Sequence, residues 1–171
     1  MQILLGKGVK MRARTGFTLV EILIVVVILG ILAAIVIPQF TNASTQAKES
    51  QLVSDLQTMR SQVELYKIQH NDNLPGTQSG EDFATAMLSY TDVDGVVQLA
   101  AGAGIYGPYL QKMPSNPWIA DAALAITVTS GTGSAGGDDS SGWYFNTDTG
   151  KIQANDSKTC KDAASTPHTS L

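Results

Sequence analysis

The chain has 171 residues, a formal charge of −4 and one cysteine, Cys160. That length holds one membrane helix and one globular domain. The lone cysteine excludes an internal disulfide, and the acidic balance, with no basic surface evident, argues against nucleic-acid binding by simple electrostatics.

Four cations, Lys7, Lys10, Arg12 and Arg14, precede Gly16. Phe17-Thr18-Leu19-Val20-Glu21 follows, then sixteen uncharged, almost wholly apolar residues to Ile37, then Pro38. Phe17 to Ile37 is 21 residues, enough to span a hydrocarbon core of about 30 Å as a helix. The upstream cations hold the N-terminus on the cytoplasmic side, so the remainder of the chain is exported. One carboxylate, Glu21, interrupts the run; a charge at a helix centre costs about 2.5–3.5 kcal/mol in lipid by insertion scales, and less near an interface. A cleaved secretory signal needs a small-residue cleavage site after the apolar run, and Ala33-Ala34 are followed by more Ile and Val. A plain single-pass anchor accounts for the length but gives Glu21 no purpose beyond snorkelling to the headgroups.

Gly16-Phe17-Thr18-Leu19-Val20-Glu21, with basic residues before it and the apolar run after it, resembles the processing site of type IV prepilins and type II secretion pseudopilins. The resemblance implies that a membrane aspartyl peptidase cuts between Gly16 and Phe17 and methylates the new N-terminus, leaving residues 1–16 as a cleaved leader. Residues 17–38 are then the transmembrane or filament-core helix, and residues 39–171 a periplasmic globular domain. Cutting removes four cations and no acids, so the mature 155 residues carry −8. The Phe17 ammonium and the Glu21 carboxylate stand four residues apart, one helical turn. In a filament Glu21 can instead meet the Phe17 ammonium of the neighbouring subunit; pairing the two charges in a low-dielectric place fixes register.

Past Ile37, Pro38 removes a helical hydrogen bond and is expected to kink or loosen the helix. Leu52, Leu56, Met59, Val63 and Tyr66 then recur at spacings of four and three. This is one helical stripe facing a core. The helix is expected from Phe17 to about His70, roughly 80 Å at 1.5 Å per residue. It stops at Asn71-Asp72-Asn73-Leu74-Pro75-Gly76. A short helix is expected over 79–90, with Ser79 as its cap and Phe83, Met87 and Tyr90 on one face. Residues 92–106 carry no readable period. Pro108, Pro114 and Pro117 make a rigid connector in which Tyr109 and Trp118 are expected to plug the sheet. Leu124, Ile126 and Val128 alternate, which predicts a strand over 123–129. Residues 130–142 form a Gly/Ser/Asp loop. Residues 143–146 and 151–154 form a hairpin whose turn uses Gly150 at positive φ. The tail from Asp156 is polar and expected to fray.

Two further segments, Tyr66 to Pro75 and Gly107 to Trp118, are similar to the helix end and the Tyr-Leu, Asn-Pro-Trp run of the major type II secretion pseudopilin. The missing disulfide points the same way. The fold implied is α+β, a long N-terminal helix with a small antiparallel sheet packed on its C-terminal half. The implied work is that of a structural subunit in a helical pseudopilus that drives protein secretion. Its partners are then itself, the prepilin peptidase/methylase, the inner-membrane platform and minor pseudopilins. A type IV pilin serving adhesion, motility or DNA uptake is the alternative, and a non-polymerising membrane-anchored binding module a further one. No HExxH, GxSxG, CxxC or phosphate loop occurs, so no enzyme is expected. His70 and His168 lie at the helix end and in the tail. Asp138, Asp139 and Asp148 surround the last hairpin. Calcium takes such oxygens at loose spacing, and the type II major pseudopilin binds calcium in a C-terminal loop; the resemblance therefore implies a calcium site there, against the alternative of a solvated acidic loop.

Overall fold

The computed structural model describes residues 16–78, 81–160 and 166–171. The chain divides into two compact units, Met1–Asn42 and Ala43–Leu171. One helix, α1 (Leu19–Gln69), contributes to both. The Lys and Arg of the leader lie outside the described residues.

In the first unit α1 buries nothing. Its large apolar side chains from Phe17 to Phe40 are between 42% and 79% exposed apart from Leu19 at 83%. A helix apolar on every side has no face for water. Pro38 lies inside α1, which continues past it. The missing N–H leaves the carbonyl of Ala34 without its usual donor, and three residues beyond the proline the Thr41 hydroxyl donates to the carbonyl of Ile37 at 3.1 Å.

In the second unit α1 becomes one-sided. Leu52, Leu56, Met59, Val63 and Tyr66 are its buried residues, each at most 1% exposed. The stripe read from the sequence is the stripe that packs. Asn71 and Asp72 then take positive φ, 52° and 65°. Asp72 donates back to the carbonyl of Lys67 at 2.9 Å, which ends the helix. Asn and Asp tolerate this left-handed conformation better than most residues.

The short second helix differs from expectation. Ser79 lies outside the described residues, and α2 covers Phe83–Leu88, capped by Asp82, whose carboxylate accepts from the Thr85 N–H at 2.6 Å. Phe83 and Met87 are buried as the pattern implies. Tyr90 opens β1 (Tyr90–Asp92), which pairs antiparallel with β2 (Val97–Gln98) and β3 (Ile105–Tyr106). These strands occupy the stretch that had no readable period, since two or three residues are too few to alternate.

The strand expected over 123–129 starts late. Asp121 accepts from the N–H groups of Ala123 and Leu124, and this local cap folds Ala122–Ala125 into one helical turn, α3. Side-chain capping competes with the ladder for the same backbone donors. Strand β4 (Val128–Gly131) then runs parallel to β5 (Trp143–Asn146), and β5 runs antiparallel to β6 (Ile152–Ala154). The architecture is α+β, with one small antiparallel sheet and a second, mixed one. Gly142 is needed at the crossover: a Cβ there would stand 2.1 Å from the carbonyl oxygen of Ala125. Gly150 takes φ 71° in the hairpin turn, as read from the sequence. Trp143, Phe145 and Ile152 are fully buried in one core with the α1 stripe, and Phe145 meets Phe83 at 4.5 Å between ring centroids.

The tail is not frayed where it is described. Asp156 is 1% exposed and His168 0%. Their contact at 2.6 Å brings residues 166–171 back onto the domain.

Met59→Ala should cost about 2–5 kcal/mol, the usual range for truncating a buried large apolar side chain. Gln57→Ala, on the exposed face of the same helix, should stay within about 0.5 kcal/mol. Denaturant unfolding of the detergent-solubilised chain, followed by tryptophan fluorescence, measures both. Equal losses would contradict the one-sided packing.

Candidate functional site

The site built by the sequence motif is the start of α1. Gly16 and Phe17 precede the helix, and Phe17 is 79% exposed. Thr18 stands at the N-cap position. Its hydroxyl accepts from the Glu21 N–H at 3.2 Å, and the Glu21 carboxylate reaches back to the Thr18 N–H at 3.5 Å. This is a reciprocal capping box, in which two helix-terminal donors are satisfied by two side chains three residues apart. It also sets a negative charge at the positive end of the helix dipole.

Thr18 is the residue that the chemistry of Glu21 alone did not single out. The Thr-x-x-Glu spacing before an apolar run is the signal that finds it. The cap gives Glu21 a role within one chain, besides the role expected between chains. The two hydrogen bonds differ in quality. At 3.5 Å the bond from Thr18 N–H to Glu21 is long and weak, so the carboxylate is free to exchange it for a charged donor, which bonds about twice as strongly.

Beyond this site α1 is the one helix, among the described residues, long and apolar enough to cross a membrane. The match by length and composition is continuous with the capping box.

Asp138 and Asp139, before the last hairpin, have local hydrogen-bond partners. Among the described residues no three His, Cys, Asp or Glu side chains gather as a metal ion would need. Asp138 accepts from the N–H and hydroxyl of Ser140 and from Asn155. Asp139 accepts from the N–H and hydroxyl of Ser157, both at 2.8 Å. Asp148 lies in the β5–β6 turn, where its own N–H donates to Asn146. Asp138 and Asp139, two of the three residues expected to hold calcium, thus accept from different serines, and Asp148 lies in the turn. Hydrogen bonds from Ser140 hold the Asp138 carboxyl below the usual carboxylate value, and those from Ser157 do the same for Asp139.

His70 and His168 have separate surroundings. His70 stacks on Tyr66 at 3.7 Å and bonds the Thr91 hydroxyl at 3.0 Å. Tyr109 sits at the end of α1, donating to Gln69 at 2.6 Å and packing on Tyr66. Burial raises the Tyr109 phenol above its ordinary value. Trp118 lies under the Lys48 ammonium at 5.4 Å and against His168 at 5.2 Å.

Residues 11–37 match the family model described as the prokaryotic N-terminal methylation motif. The chain is 32% identical over 114 residues to type II secretion system core protein G of Aeromonas hydrophila, covering 63% of this chain and 69% of that protein. It is 36% identical over 107 residues to the protein of the same name from Pseudomonas aeruginosa, covering 63% and 70%. For the Escherichia coli K12 protein the identity is 32% over 109 residues, covering 64% and 70%. No solved structure matches the chain.

The lowered carboxyls of Asp138 and Asp139 fix a pH dependence. A carboxyl depressed on folding stabilises the folded chain above the ordinary value of 3.8. That contribution fades as pH falls through the lower folded value. Asp139→Asn should therefore flatten the acid limb of the stability–pH curve below about pH 4 and leave its slope at neutral pH unchanged. Acid titration of the thermal midpoint measures this, and an unchanged acid limb would count against the Ser157 contact.

Proposed function

Because the chain belongs to the family of type II secretion system core protein G, we propose that it works as the building block of a pseudopilus that drives protein secretion. The observation that carries the reading is the Thr18–Glu21 cap at the mouth of a bare apolar helix, directly after Gly16-Phe17. In this reading the peptide bond between Gly16 and Phe17 is cut by a prepilin peptidase, which also methylates the Phe17 amine. Residues 17–38 anchor the subunit in the inner membrane, and residues 39–171 stand in the periplasm.

The cap and the cut act in sequence. In the lone subunit Glu21 is held by its own backbone, so the carboxylate enters the bilayer with partners. Cutting creates an ammonium at Phe17. When a subunit joins the filament, its Phe17 ammonium takes the Glu21 carboxylate of a neighbour. Two opposite charges meeting in a low-dielectric place are far better off than either alone. The contact is heterologous and does not close, which gives a fibre rather than a ring. Apolar side chains from Leu19 to Ile37 exchange lipid for neighbouring helices. Pro38, by removing one backbone bond, locally loosens the helix. The partners of this process are other copies of the chain, the peptidase, the secretion platform in the inner membrane and minor pseudopilins. The role is mechanical, not catalytic.

Intact-mass spectrometry of membrane-extracted protein should give a chain that begins at methylated Phe17. A mature species that keeps residues 12–16, or one that begins after Ala34, would sink the reading. Gly16→Val should leave the leader attached and the protein in the membrane.

Glu21→Ala should reduce filament yield at least tenfold while the exported domain keeps its unfolding midpoint. The lost interaction is one between subunits, and a tenfold change is about 1.4 kcal/mol. Wild-type filament yield from Glu21→Ala would show the carboxylate to be merely tolerated.

A further inference from the structure

The buried polar groups of the second unit converge on one place that the filament reading does not use. Asp156 is 1% exposed and Asn116 and His168 are 0%. The Asn116 amide donates to Asp156 Oδ2 at 2.8 Å and to the carbonyl of Gly142 at 2.9 Å. Asn116 Oδ1 accepts from the Trp118 N–H at 2.9 Å, which sets the turn of the Asn116-Pro117-Trp118 run. Asp156 Oδ1 accepts from the Lys158 N–H at 3.0 Å and from His168 Nδ1 at 2.6 Å. The Trp118 ring packs on the His168 ring with centroids 5.2 Å apart. Two polar atoms here are enclosed without a partner among the described residues, Trp118 Nε1 and His168 Nε2.

A buried carboxylate with no proton of its own only accepts, so the Nδ1 of His168 must be the donor in that contact. In the neutral ring Nε2 is then an acceptor. Trp118 Nε1 is a donor only. One orphan acceptor thus sits on a ring packed against one orphan donor. Leaving either group dry is costly, because each lost its hydrogen bonds to water on burial. A single molecule that accepts one hydrogen bond and donates another satisfies both.

We propose that Asn116, Trp118, Asp156 and His168 form a socket that latches residues 166–171 onto the domain, and that one water molecule completes it by accepting from Trp118 Nε1 and donating to His168 Nε2. Other bonds run along the same segment. The His168 N–H donates to the carbonyl of Lys158 at 3.1 Å, and Arg60 of α1 donates to the carbonyls of Ile152 and Leu171. Gln153 of β6 donates to the carbonyl of Thr169. A β-bridge joins Thr159 and Pro167. The imidazole is the one side chain of this segment enclosed completely, so it is the plug and the Asn-Pro-Trp connector is the wall of the socket. The latch does what a cross-link would do in a chain whose single cysteine cannot form one within the molecule.

The test is hydrogen exchange by mass spectrometry on the full-length, detergent-solubilised chain, together with side-chain nitrogen NMR of His168. The wild-type amides of His168, Ser170 and Leu171 should be protected, and His168 should show one neutral tautomer with the proton on Nδ1. His168→Phe keeps a ring but no hydrogen bond. It should speed exchange over 166–171 tenfold or more, while peptides covering Leu52 to Tyr66 exchange as in wild type. Trp118→Phe keeps the packing and removes only the donor to the water. It should speed exchange over 166–171 severalfold and leave the Nδ1 tautomer in place. A proton on Nε2, or unchanged protection of 166–171 in His168→Phe, would overturn the latch. Unchanged protection in Trp118→Phe would overturn the bridging water. Should His168→Phe lose the α1 protection as well, His168 would be a general core residue rather than a latch, and the proposal would fail on that count.

Discussion

The structure depends on one constraint: α1 changes solvent along its own length. From Ile22 to Ile37 every side is apolar and exposed, which only lipid or other apolar helices can accept. From Leu52 to Tyr66 one stripe is buried and the remaining faces are mostly polar, with Val53 and Leu65 exposed among them. Both halves belong to one helix, interrupted in its backbone bonding only at Pro38. Everything else follows from serving one half or the other. Both sheets, α2 and the proline connector exist to cover a stripe five residues long. The capping box exists because a helix that starts in or near lipid has no water to satisfy its first N–H groups.

That constraint explains which parts of the fold were legible in the sequence. The long helix, its buried stripe, its stop and the last hairpin all rest on period or on turn chemistry, and they stand where the pattern put them. The start of α3 was misread because Asp121 caps one helical turn inside an alternating stretch, and a single side-chain acceptor outweighed three alternating residues. Strands β1 to β3 were unreadable because each pairs over only two or three residues. The parallel pairing of β4 with β5 leaves no local signal at all; the crossover loop, not the strand, decides it.

The site divides in the same way. Gly16, Phe17 and Glu21 were visible as a motif, since a carboxylate in an apolar run is conspicuous. Thr18 was visible only as part of a cap, which needs the question of where the first backbone donors go. Asp138, Asp139 and Asp148 are close in sequence and alike in chemistry; Asp138 accepts from Ser140, Asp139 from Ser157, and Asp148 lies in the β5–β6 turn. The polar tail, read as frayed from its composition, instead carries the fully enclosed His168, because a buried partner, Asp156, waits for it twelve residues earlier.

In the proposed assembly, the capping box holds the Glu21 carboxylate in the lone subunit, and a neighbour's ammonium takes it over in the fibre. The most direct measurement is a cryo-EM map of assembled fibres at side-chain resolution. The account predicts the Glu21 carboxylate within hydrogen-bonding distance of the Phe17 amine of an adjacent subunit, with the link to its own Thr18 N–H released. A fibre in which Glu21 keeps its own Thr18 and the neighbouring Phe17 amine lies elsewhere would contradict it.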